Sequence, residues 1–155
     1  MFRAAAIAIV VALGIQSATE IAPWRRASYS EYTTDILDLV PADARVLANL
    51  NTGFVFQPDR LHVYRDLNNL NRPVGHQLDD WDVEFVLYPQ ELDVIYAERP
   101  VWNDVYGNLY PYYEELRRYL VERAELVGTI ESPVYAMRIV SKMDERNWRL
   151  DVYRV

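Results

Sequence analysis

No cysteine occurs in the 155 residues, which excludes disulfides, zinc–thiolate centres and cysteine nucleophiles and leaves the redox compartment open. Glycine is scarce too. The five present form no Gly-x-Gly-x-x-Gly, no Walker-type loop and no Gly-x-Ser-x-Gly elbow, so phosphate-cradling loops and the hydrolase nucleophile turn are both missing. Histidine is limited to His62 and His76, fourteen positions apart rather than paired on one helical turn, and a zinc site is not expected. Positive charge is in deficit. The formal net charge is -7, which disfavours phosphate neutralisation, and no nucleic-acid partner is expected. Lys142 is the single lysine; every other basic residue is Arg.

Long apolar runs are also lacking. The longest, Ala4 to Ile15, follows Arg3 and precedes the polar Gln16-Ser17-Ala18-Thr19-Glu20. As a helix it would measure about 18 Å against roughly 30 Å of hydrocarbon, so it needs extension to Trp24, with Arg25-Arg26 beyond, to span a bilayer. Three readings stand: an uncleaved anchor or the last membrane helix of a longer protein, a cleaved signal peptide, and a buried helix of a soluble domain. The first leads. It makes residues 1–27 a membrane-type helix with linker and gives the chain a membrane partner.

What is present reads as one α/β domain from residue 28 to 155, a size and an apolar content of 51% that suit a single core. Ser28-Tyr29-Ser30-Glu31 has the form of a capping box, and Tyr32, Ile36, Leu37 and Val40 make an apolar stripe that Pro41 ends. Val46, Leu47, Ala48 and Leu50 form a near-continuous apolar run, as in a strand covered on both faces. Val83 to Tyr88 is a second run of that kind, parallel to the first. A short strand near Leu61 to Val63 and a brief helix before Trp81 fill the interval. Tyr112, Leu116, Tyr119, Leu120 and Ala124 line an amphipathic helix after Pro111. Leu126 to Ile130 and Trp148 to Val155 then make an antiparallel C-terminal strand pair. The expected fold is a small, mostly parallel sheet flanked by helices, with that strand pair at its end and an apolar helix in front.

Ligands of open α/β sheets gather at the carboxyl ends of parallel strands. This marks Asn51, Thr52 and Gly53 after the first strand, and Glu91 and Asp93 after the second, although the same residues serve equally as turn and helix cap. Asp79, Asp80 and Asp82 crowd three carboxylates into a turn, which a solvated loop explains as well as a cation does. The aromatic group Tyr96, Trp102, Tyr106, Tyr110, Tyr112 and Tyr113 suits sugar stacking or a membrane interface; packing against the core is the competing reading. Trp102, Tyr106 and Tyr110 follow one another at one-turn spacing, and Gly107 and Pro111 make that stretch a surface excursion. No catalytic constellation, metal or cofactor is expected.

The order of an apolar membrane-type segment, a capped helix, Leu39-Val40-Pro41-Ala42-Asp43-Ala44-Arg45-Val46-Leu47, Val83-Glu84-Phe85-Val86-Leu87-Tyr88-Pro89 and a closing Val152-Tyr153-Arg154-Val155 resembles the C-terminal extracytoplasmic domain of multi-pass membrane glycosyltransferases. These belong to the C-type superfamily that includes the dolichyl-phosphate-mannose protein mannosyltransferase-like proteins. The resemblance implies a polyprenyl-phosphate-sugar donor, transfer outside the cytoplasm, a multi-pass membrane subunit as partner, and carbohydrate or lipid-linked sugar as ligand. The membrane helices and the loop bearing the catalytic acid of such enzymes do not occur in these 155 residues, so no catalytic residue is carried over. The alternative is a membrane-anchored extracytoplasmic binding module for carbohydrate or protein.

Overall fold

The structure, a computed structural model, describes residues 7, 9–18, 28–49, 52, 55–67, 71–98, 101, 112–132 and 148–155. Helix α1 spans Tyr29–Leu39. Its first turn carries the Ser28 half of the expected capping box, the Glu31 N–H donating to Ser28 Oγ at 3.3 Å. Val40, extended before Pro41, closes it. Tyr32, Ile36 and Val40 are buried, whereas Leu37, one position round the helix from Ile36, is exposed and falls outside the stripe.

Among the described residues five strands follow: β1 (Val46–Ala48), β2 (Leu61–Val63), β3 (Phe85–Pro89), β4 (Glu125–Ser132) and β5 (Trp148–Arg154), joined in one sheet of order β2-β1-β3-β5-β4. β1 runs parallel to both β2 and β3, as the two apolar runs indicate. The sheet is nevertheless mixed rather than mostly parallel. β5 enters between β3 and β4 and runs against both, from Phe85↔Arg154 to Pro89↔Leu150 on one side and from Glu125↔Arg154 to Ser132↔Trp148 on the other. The physical reason lies in the alternation of β5. Leu150 and Val152 on one face continue the apolar surface begun by Leu87, and an interior position buries both.

Side chains of the two faces feed separate cores. Val46, Ala48, Leu87, Ile130, Leu150 and Val152 pack under Tyr32, Ile36 and Val40 of α1, so that helix covers strands from both halves of the sheet. Leu47, Val86 and Tyr88 point the other way, against α2 (Val74–Asp80) and α3 (Tyr113–Arg123), chiefly Leu78, Leu116 and Leu120. These two helices are closely joined. The Val74 N–H donates to Glu115 Oε1 at 2.8 Å, and a Cβ at Gly75 would stand 3.0 Å from the Tyr119 ring. Past the end of α2, Asp82 adopts φ 49°, while the Asp82 and Val83 N–H groups return to Asp79 and Leu78 carbonyls; this left-handed closure is one that Asp tolerates.

The expected apolar membrane-type helix over residues 1–27 is not found. Among the described residues of that segment helical backbone covers residue 7 and 9–18, and no helix is long and apolar enough to cross a membrane. Ile7, Ile9, Val10, Val11, Leu13 and Ile15 are all more than half exposed.

Candidate functional site

The carboxyl ends of β1 and β3 lie side by side, and their chain exits diverge, from β1 outward to β2 and from β3 toward the antiparallel half. Such a divergence is where open sheets leave a crevice. Here a side chain fills it. β1 pairs with β3 only at Val46↔Phe85 and Leu47↔Val86, and beyond that point the buried Tyr64 hydroxyl donates to the Leu87 carbonyl at 2.8 Å. Thr52 is buried, and its hydroxyl donates to the Asn49 carbonyl at 2.6 Å, so it builds the turn. Asn51 and Gly53 lie outside the described residues, as do Trp102, Tyr106 and Tyr110.

Glu91 and Asp93, both at the end of β3, have opposite surroundings. The helical turn Glu91–Asp93 begins just after Pro89 and continues as the π-helical Val94–Glu98. Glu91 is fully buried, neither carboxyl oxygen has a hydrogen-bond partner, and loss of water raises its pKa from 4.5 to about 8. It is therefore a neutral acid near pH 7, contributing polarity without charge.

Asp93, by contrast, is held from three sides and partly open on the fourth. Its Oδ1 accepts from the Tyr88 hydroxyl at 2.8 Å and the Tyr113 hydroxyl at 2.9 Å, and lies 3.5 Å from Arg117 Nε. No described contact falls on Oδ2. The Arg117 guanidinium sits 5.4 Å from the centre of the Tyr88 ring, the Tyr96 and Tyr113 rings stack at 4.7 Å, and Tyr153 meets Tyr88 edge-on at 6.4 Å. Burial first, then the neighbouring carboxylate, pushes both phenols up, Tyr113 to about 12, so each remains a donor. Burial opposes the charge on Arg117, but Asp93 and the tyrosines outweigh it and hold its pKa above the usual value.

The arrangement offers a carboxylate oxygen, an arginine and stacked aromatic rings at one end of the sheet. Among the described residues there is no group of three or more His or acidic side chains placed to hold a metal ion. The acidic turn divides between arginines: Asp80 pairs with Arg72, and Asp82 with Arg45 at 3.5 Å. Arg117 escaped sequence reasoning because nothing in its spacing from Asp93 forms a motif, even though it lies four residues after Tyr113 and three before Leu120, on the edge of the helix side that faces the sheet. Tyr88 and Tyr113 were visible only as strand and aromatic residues. Comparisons with known protein families, with curated proteins and with solved structures find no match to this chain.

Proposed function

We propose that this chain is a noncatalytic binding domain for carbohydrate, working at a membrane on its extracytoplasmic side, in the setting of a polyprenyl-phosphate-sugar-dependent glycosyltransferase. The observation that carries the binding role is the fixed Asp93. A carboxylate locked through one oxygen by two phenols and a guanidinium presents its other oxygen in a set direction, and sugar hydroxyls are the donors that such an acceptor suits. Beside it the part-buried Tyr96 ring, stacked on the buried Tyr113, is the aromatic group nearest the carboxylate's open side that a sugar ring could meet.

The membrane setting draws on the resemblance and on the six large apolar side chains exposed between residues 7 and 15. Each forgoes about 1.5–3 kcal/mol of burial in water, and lipid or a membrane subunit recovers it.

Asp93→Asn tests the binding role, since the amide keeps a carbonyl acceptor for the two phenols while removing the charge. Titrating the full chain with neutral sugars such as D-mannose and D-glucose, followed by NMR at Tyr113 and Arg117, should show saturable shifts. The variant should bind about tenfold more weakly with an almost unchanged unfolding midpoint. An absence of shifts in the unsubstituted chain would remove the carbohydrate reading.

A further inference from the structure

The helix layer on the Tyr88 side stops short of the antiparallel half. Among the described residues, α2 and α3 cover β1 and β3, while the same face of β5 and β4 carries the exposed Arg149, Thr129 and Leu126, the buried Asp151, and Tyr153, which packs partly against the core beneath those helices. Residues two apart on a strand share a face, so Arg149, Asp151 and Tyr153 stand in one row beside Tyr88.

In this row a second arginine repeats the anchoring of the first. Arg149 Nε lies 3.0 Å from Asp151 Oδ1, and the Thr129 hydroxyl donates to the same oxygen at 2.8 Å. Arg117 Nε in turn faces Asp93 Oδ1. Each guanidinium thus lies beside its own aspartate, at 3.5 Å and 3.0 Å. Their side chains are 38% and 45% exposed. Tyr88 and Asp151 are direct Cα partners across the β3–β5 ladder, a separation of about 5 Å. The guanidinium seated over Tyr88 and the one bound to Asp151 therefore overlie adjacent positions of one sheet face. Tyr153, next along the row, feels both arginines as well as Asp93 and Asp151.

We propose that Arg117 and Arg149 form an anion clasp at the rim of this face of β5, taking the carboxylate or phosphate group of an acidic saccharide. The proposal rests on the carbohydrate reading and narrows it to acidic sugars. Two part-exposed guanidiniums over neighbouring positions of one sheet face bring planar donor forks together, and such forks suit bidentate oxyanion recognition. Each arginine is balanced by its own aspartate, so selectivity comes from the fixed donors more than from net attraction. Glu131, the cross-strand partner of Arg149, bounds the clasp on the β4 side.

The test compares four probes on the full chain: D-glucuronate, glucose 1-phosphate, D-glucose and inorganic phosphate, with binding read by calorimetry and by NMR of the arginine Nε–H groups. Both acidic sugars should bind about tenfold more tightly than glucose. Arg149→Gln, whose ion-pair partner is Asp151 rather than Asp93, should abolish that preference without weakening glucose, and Arg149→Lys should restore only part of it. Added salt should narrow the difference. Equal binding of glucose and glucuronate, or a preference that survives in both Arg117→Gln and Arg149→Gln, would overturn the clasp while leaving carbohydrate binding intact. Arginine-dependent binding of phosphate and glucuronate with no response to glucose would keep the clasp and discard the neutral-sugar site. Silence from all four probes would discard both. Unfolding midpoints of the variants separate loss of the site from loss of the fold.

Discussion

The parallel half of the sheet, β2-β1-β3, and the antiparallel half, β5-β4, share one helix and differ in the other layer. α1 lies under both, its Ile36 and Val40 reaching a core built from Val46 and Leu87 as well as Ile130 and Leu150. On the opposite face β1 and β3 are sealed by α2 and α3, whereas β5 and β4 present charged and hydroxyl side chains there. Their strand patterns follow: β1 is buried at all three positions, while β4 alternates exposed and buried toward its end. Coverage on two faces yields stability without polar chemistry, and coverage on one leaves room for it.

The largest effect that would sharpen this contrast is a matched pair of truncations. Leu47 in β1 is wholly buried, and Leu126 in β4 is 53% exposed. Leu47→Ala should cost about 2–5 kcal/mol through lost transfer energy and a residual cavity. Leu126→Ala should stay within about 1 kcal/mol. Urea unfolding monitored at the tryptophans measures both, and similar losses at the two sites would mean that the second half is covered after all.

The same division governs what could be read from residues alone. β1 and β3 were legible, because a strand covered on both faces must be apolar at successive positions and that pattern is local. The terminal alternation of β5 announced a strand, but its insertion between β3 and β4 depends on pairing with residues some sixty positions away, from Leu87 to Val152. Asp93 could be marked from its place after a parallel strand, and the partners that define it could not. Tyr113 and Arg117 reach it from a helix twenty and more residues downstream. Glu91 shared the positional signal of Asp93, and only its surroundings reveal that one acid is sealed and the other accessible.

Glu91 breaks the comparison from within, as a polar group enclosed without a partner at the end of β3. Its folded pKa of about 8, against 4.5 ordinarily, sets the sign of the effect. Between those values the folded chain retains a proton that the unfolded chain has released. Stability from this group is thus complete below about pH 4.5 and falls as pH rises through 8, at about 1.4 kcal/mol per unit. Glu91→Gln should remove the slope, sparing about 3 kcal/mol of the loss between pH 5 and 7.5. Denaturant melts at several pH values test this. Parallel profiles for the two chains would show that Glu91 gains water or a counter-charge on ionising.

The smallest expected effect lies at the open end of the antiparallel half. Glu125 and Arg154 are Cα partners in the β4–β5 ladder, and their side chains form an ion pair with 65% and 57% exposure. Water screens both charges, and ordering two long side chains offsets part of their attraction, so the coupling should lie near 0.2–1 kcal/mol. A double-mutant cycle of Glu125→Ala and Arg154→Ala isolates that term from the contribution of each residue to the strand itself. Salt should weaken it further, because the Debye length falls from about 8 Å at physiological ionic strength to about 3 Å at 1 M. A coupling several times larger, or one indifferent to salt, would require these charges to be shielded from water. The α1 face of the antiparallel half, where Arg154 follows Leu150 and Val152, would then be enclosed to its edge, while the opposite face with Arg149 and Asp151 would be untouched by the result.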